Sequence, residues 1–87
     1  MPAREAVLAR VGGIVAGIAG PGRTPCGPSP DTPLGEHGYW LDSVDVLEVI
    51  LACEQEFGIA LDQDADLTAE ALRTVRTLGE VIAGKLR

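Results

Sequence analysis

Ser43 follows Asp42 at the head of the segment YWLDSVDVLEVILACEQEFG, residues 39–58, and Asp45, Glu48 and Glu54 come after it. A hydroxyl among carboxylates can do two kinds of chemistry. It can attack a substrate as a nucleophile, or it can accept a group from another enzyme. Attack requires a base. His37 is the single histidine, six residues upstream in a Gly/Pro-rich stretch, with Asp42 as the nearest orienting carboxylate. The Gly-x-Ser-x-Gly elbow of serine hydrolases is absent, and no oxyanion loop is visible. Acceptance requires only exposure. Asp42 is placed to cap a helix by taking the amide hydrogen of Val44 or Asp45. That leaves Ser43 at the first helical position, its hydroxyl free to face outward. A helix start favours a phosphate ester there, because unpaired amides and the helix dipole offset the negative charge.

The remaining candidate groups do less. The two cysteines, Cys26 in a Pro/Gly stretch and Cys53 on an apolar helix face, make no disulfide framework and read as reduced thiols of a cytoplasmic protein. Metal-ligand spacing is missing. Thirteen acids against seven Lys/Arg give a net charge of −6. Such a surface repels nucleic acid and anionic membranes and suits partners with basic patches. The apolar run 6–19 is broken by Arg10 and is too short to span a membrane. Glu5 spoils a basic leader region, so a signal peptide is not expected.

The elements that must hold Ser43 are helical. The 87 residues suffice for one domain, 1–87. Aromatics are limited to Tyr39, Trp40 and Phe57, so the core must be aliphatic. Val7, Val11, Ile14, Val15 and Ile18 recur at three- and four-residue steps and predict a first helix over 3–19. Gly12, Gly13 and Gly17 weaken it and offer a neighbouring helix a close approach. Residues 20–41 hold five of the six prolines and predict a long loop. A second helix runs over about 43–57, stopped by Gly58. Thr68 or Asp66 caps a short helix near 67–72. Thr74 caps a last helix over about 75–86, with Lys85 and Arg87 at its negative end. The sum is an all-α, small four-helix bundle, three longer helices and one short one.

The second helix has two apolar faces. At about 100° per residue, Val46, Val49, Ile50, Cys53 and Phe57 fall on one stripe, the core face. Val44, Leu47 and Leu51 fall on the far side, beside Asp45, Glu48 and Glu54. Either the Pro-rich loop covers this second stripe, or it is a docking surface of exposed aliphatics rimmed by carboxylates. One of Tyr39 and Trp40 is expected to pack on the bundle and anchor the loop.

The run LDSVDVLEVILACEQEFGI resembles the phosphopantetheine attachment region of acyl carrier proteins. The matching positions are Asp42, Ser43, Asp45, Glu48, Glu54, Glu56 and Phe57. The resemblance continues through LDQDADLTAEALRTVRTLGEVIAGKL, where Leu72, Thr74, Val75 and Leu78 fit the short third helix and the Thr-Val start of the fourth. The chain departs from the family pattern in Val44, where leucine is usual, and in YWL, where glycine commonly precedes the aspartate. It also has a glycine-rich first helix and a longer, more proline-dense loop. These departures point to a discrete carrier of a polyketide or similar secondary pathway.

The resemblance implies a non-catalytic carrier. Ser43 receives a covalent 4′-phosphopantetheine arm from coenzyme A through a magnesium-dependent phosphopantetheinyl transferase. The arm carries acyl groups as thioesters. Ketosynthase, acyltransferase and other enzymes with basic patches then dock on Val44, Asp45, Leu47, Glu48, Leu51 and Glu54. Val46, Val49 and Ile50 are the candidate lining of an acyl pocket. A monomer is expected. The alternatives are an aminoacyl or peptidyl carrier of a nonribosomal pathway and an unmodified helical adaptor.

Overall fold

Val7, Val11 and Val15 stand four residues apart and are fully buried, which fixes the inner face of the first helix, α1 (Arg4–Ala19). Leu8 and Ala19 complete that face, and Ile14 and Ile18 pack at its edge. The computed structural model describes residues 3–86, and those residues hold three helices and no strand. Arg87, expected beside Lys85, lies outside the described residues.

α2 (Ser43–Phe57) buries Val49, Ile50 and Cys53, with Val46 and Phe57 packed at the margin. Gly58 ends it in the left-handed conformation, at φ 64°, and donates its N–H to the Glu54 carbonyl. α3 (Val75–Lys85) buries Val75, Leu78, Gly79 and Ile82. Thr74 caps it as expected: its hydroxyl accepts from the Thr77 amide at 3.1 Å, and Thr77 Oγ1 accepts from the Thr74 amide at 3.0 Å.

The short helix expected at 67–72 is a single turn. Thr68 Oγ1 accepts from the Ala71 amide at 3.1 Å, and the Thr68 carbonyl accepts from Leu72 at 3.1 Å. The turn does not propagate. The Arg73 carbonyl is taken by the Leu34 amide at 2.9 Å, and Thr74 is already extended for its cap. Nucleating a helix costs more than one closed turn returns. Ala71 is buried, and Leu67 and Leu72 lie against the core without a helix to carry them.

α1 packs against both α2 and α3. The close approach expected from its glycines belongs to α3 instead. A Cβ on Gly79 would overlap the Leu8 side chain, whereas Gly13 and Gly17 face open space and Gly12 has only Val75 within reach, at 3.9 Å. Between Gly20 and Asp42 the chain forms turns and one isolated bridge, Pro33 to Thr74. This segment sends Leu34, Tyr39 and Leu41 into the core, at 1, 2 and 9% exposure. Its inner turn is tight: Tyr39 donates to the Pro33 carbonyl at 3.0 Å, and Leu41 donates to Leu34 at 2.9 Å. Gly38 is obligatory there, since any Cβ would collide with the Pro33 carbonyl.

Candidate functional site

Asp42 caps α2 with its side chain, and the cap is reciprocal. Asp42 Oδ1 accepts from the Asp45 amide at 2.8 Å, while Asp45 Oδ2 accepts from the Asp42 amide at 3.2 Å. Ser43 is therefore the first helical residue. It is exposed, and its hydroxyl has no hydrogen-bond partner among the described residues. The amides of Ser43 and Val44 also face outward from the helix start, where a negative group is favoured.

Arg23 fixes this helix start from outside. Its Nη1 reaches Asp45 Oδ2 at 2.7 Å. Its Nε and Nη2 donate to the Ala19 and Ile18 carbonyls at 3.0 and 3.3 Å, and Nη1 also approaches the Trp40 carbonyl at 3.5 Å. One guanidinium thus closes the negative end of α1 and binds the carboxylate at the positive end of α2. The Arg23 hydrogen bond, followed by the Asp42 amide, holds the Asp45 carboxyl below the usual aspartate range. Sequence reasoning missed Arg23 because no local pattern connects it to Asp45.

The outer face of α2 is open. Val44, Leu47 and Leu51 are 63, 50 and 50% exposed, so the proline-rich loop does not cover them. Trp40, 55% exposed, stands four residues before Val44, outside the helix. Of the two aromatics before Ser43, Tyr39 packs inside and Trp40 does not.

The structure separates the expected docking acids. Glu48 is exposed, and no described cation pairs with it. Asp45 is bound by Arg23, and its side chain is only 16% exposed. Glu54 Oε2 accepts from the Leu61 amide at 2.8 Å, tying the linker after α2 back onto the helix. Asp45 and Glu54 therefore hold the helix in place, and Glu48 is the carboxylate left beside the apolar strip.

Val49 and Ile50 are buried in the core, at 1 and 9% exposure, and Val46 packs against it. A cavity of about 570 Å³, which they do not line, lies between α1, the start of α3 and residues 28–30. His37 lies tilted beside Trp40, with ring centroids 5.9 Å apart, and among the described residues no hydrogen bond joins it to Ser43 or Asp42.

No cluster of three or more metal-binding side chains occurs among the described residues. Among them, too, no helix is long and apolar enough to cross a membrane. Cys53 is buried, and burial pushes its thiol up to about 11, whereas Cys26 is exposed.

An unencumbered hydroxyl at a capped helix start, beside an open apolar face, is the form of a carrier domain. The family model of the phosphopantetheine attachment site matches residues 9–82, and the chain belongs to that family. Its cofactor is covalent 4′-phosphopantetheine. No solved structure matches the chain.

Proposed function

We propose that this chain is an acyl carrier protein, modified on Ser43, serving a polyketide or related secondary pathway. The observation that carries the reading is the Ser43 hydroxyl, exposed and unpartnered at the first position of α2. With no base beside it, Ser43 is an acceptor, and the transferase must remove its proton. When attached, the arm supplies a thiol that holds acyl groups as thioesters. The residues around it supply position. Asp42 and Asp45 close the cap, Arg23 locks it to α1, and the free amides of Ser43 and Val44 face the phosphate position.

Partner enzymes are read to dock on Trp40, Val44, Leu47 and Leu51, with Glu48 as the charged contact. Aliphatic and aromatic groups provide the desolvated area, and the acidic field speeds encounter with basic patches. The acidic surface favours an acyl over an aminoacyl or peptidyl cargo.

The test is modification of the apo protein. It is incubated with coenzyme A, magnesium and a broad-specificity phosphopantetheinyl transferase, and its intact mass is measured. A gain of one phosphopantetheine group, absent in Ser43→Ala, supports the reading. A folded protein that gains no mass overturns it in favour of an unmodified adaptor.

A further inference from the structure

Gly20 turns the chain out of α1 at φ 77°, and the turn that follows brings Arg23 back over the helix end. The Arg23 amide donates to the Gly20 carbonyl at 3.2 Å, and the Thr24 amide donates to it at 3.0 Å. From there the guanidinium reaches α2. Its Nη1 lies 2.7 Å from Asp45 Oδ2 and 3.5 Å from the Trp40 carbonyl. One nitrogen thus touches the residue three before Ser43 and the residue two after it. The Ala19 and Ile18 carbonyls hold Nε and Nη2, so the charge is fixed in place.

The other charges around Ser43 are negative. Asp42 precedes it, Asp45 follows, and Glu48 comes three residues further along the helix. Among the described ion pairs, Arg23 is the cation at this end of α2, and Arg10 pairs with Glu56 near the other end. The Asp45 hydrogen bond, joined by the fields of Asp45, Asp42 and Glu48, raises the guanidinium above its ordinary value. Arg23 therefore acts on all three carboxylates. Asp42 already takes the Asp45 amide, so the helix start offers an incoming anion the Ser43 and Val44 amides and little else.

Modification of Ser43, the reading proposed above on which this inference rests, adds one more negative charge. The Ser43 oxygen bonds to phosphorus and the pyrophosphate P–O bond of coenzyme A breaks. Adenosine bisphosphate leaves, and the serine proton passes to the transferase. Ser43 then bears a phosphodiester, a permanent monoanion. We propose that Arg23 is the counter-charge for that monoanion: by neutralising Asp45 it lets the start of α2 carry the phosphodiester without losing stability. Arg23 acts through Asp45 and is a positioning residue. Without it, Asp42, Asp45 and the phosphodiester crowd like charges onto one helical turn, which destabilises a helix.

The experiment prepares each protein with and without the arm and reads the gap between the two melting temperatures. The transferase, coenzyme A and magnesium supply the modified form, checked by intact mass. Contacts of the arm common to all variants cancel when gaps are compared. In about 20 mM salt, where the screening length is roughly 20 Å, modification should lower the melting temperature of Arg23→Gln by about 2–5 °C more than that of the unaltered protein, the scale of one helix-terminus charge in a domain this size. Arg23→Lys keeps the charge and should restore the unaltered gap. Asp45→Asn leaves Arg23 without its carboxylate and should move the gap the opposite way, which decides the question even if Arg23→Gln does not fold. Arg73→Gln changes the net charge equally, at the cation paired with Glu70, and should match the unaltered protein. In about 500 mM salt, where screening acts beyond roughly 4 Å, the differences should close. Equal gaps in the unaltered protein, Arg23→Gln and Asp45→Asn overturn the proposal and leave Ser43 modification standing. Arg23→Lys or Arg73→Gln matching Arg23→Gln, or differences that persist in high salt, overturn it likewise. An unaltered, folded protein that gains no arm sinks the Ser43 reading and this proposal with it.

Discussion

Arg23 Nη1 lies 2.7 Å from Asp45 Oδ2, so two residues 22 positions apart join the end of α1 to the start of α2. The contact places a cation on the one carboxylate that also closes the helix cap. Its pH dependence follows from the direction of the Asp45 shift. The folded carboxyl titrates below its unfolded value of about 3.9. Stability from the pair is therefore present above about pH 4 and is lost as pH falls through the lower folded value. Arg23→Gln should lower the urea midpoint at pH 7, and the gap from the unaltered protein should narrow as pH falls below the unfolded aspartate value, leaving the part due to the Ala19 and Ile18 carbonyls. A gap constant from pH 7 to 2.5 would show that Arg23 acts without the Asp45 carboxylate, through the Ala19 and Ile18 carbonyls and packing.

Asp45 and Glu48 differ by three residues and should fail in different assays. Asp45→Asn removes the partner of Arg23 and should lower the melting temperature. Glu48→Lys should leave melting unchanged and weaken partner docking by up to about fivefold, the scale of one exposed charge. Leu47→Ala should cost more, about five- to tenfold, because it removes desolvated contact area. Glu70→Lys is the control, since Glu70 is paired with Arg73 away from α2. Equal loss from Glu48→Lys and Glu70→Lys would remove α2 as the docking face.

Two glycines should respond with opposite signs. Gly13→Ala adds a methyl to open space inside α1 and should stabilise by about 0.5–1 kcal/mol. Gly38→Ala drives a methyl into the Pro33 carbonyl and should destabilise by roughly 1–3 kcal/mol, as overpacking does. Urea denaturation of both variants checks this. Gly38→Ala should also slow modification, because the turn it breaks positions Leu41 and the cap.

The thiols should separate cleanly. Cys26 is exposed, and Cys53 is buried with its thiol raised to about 11. A disulfide reagent at pH 8 should label one thiol in the native protein and two in urea. Rapid native labelling of both would show that α2 opens.

The helices and the Asp42 and Thr74 caps were legible because periodicity and capping are local. The third helix was overestimated. Thr68 gives a valid start signal, but sequence does not show that Arg73 spends its carbonyl on Leu34 across the fold. The two faces of α2 were also readable at 100° per residue. The anchoring of Asp45 and Glu54 was not, since Arg23 and the Leu61 amide reach them through tertiary folding. Tyr39 and Trp40 look equivalent as neighbours, and only the turn around Gly38 sends one inward and one outward.

Trp40 is the only tryptophan in the chain, and it stands half-exposed three residues before Ser43. The molecule thus carries a native fluorophore at its working end. A protein that covers this end should shift the indole emission to the blue, so association can be timed without attaching a dye.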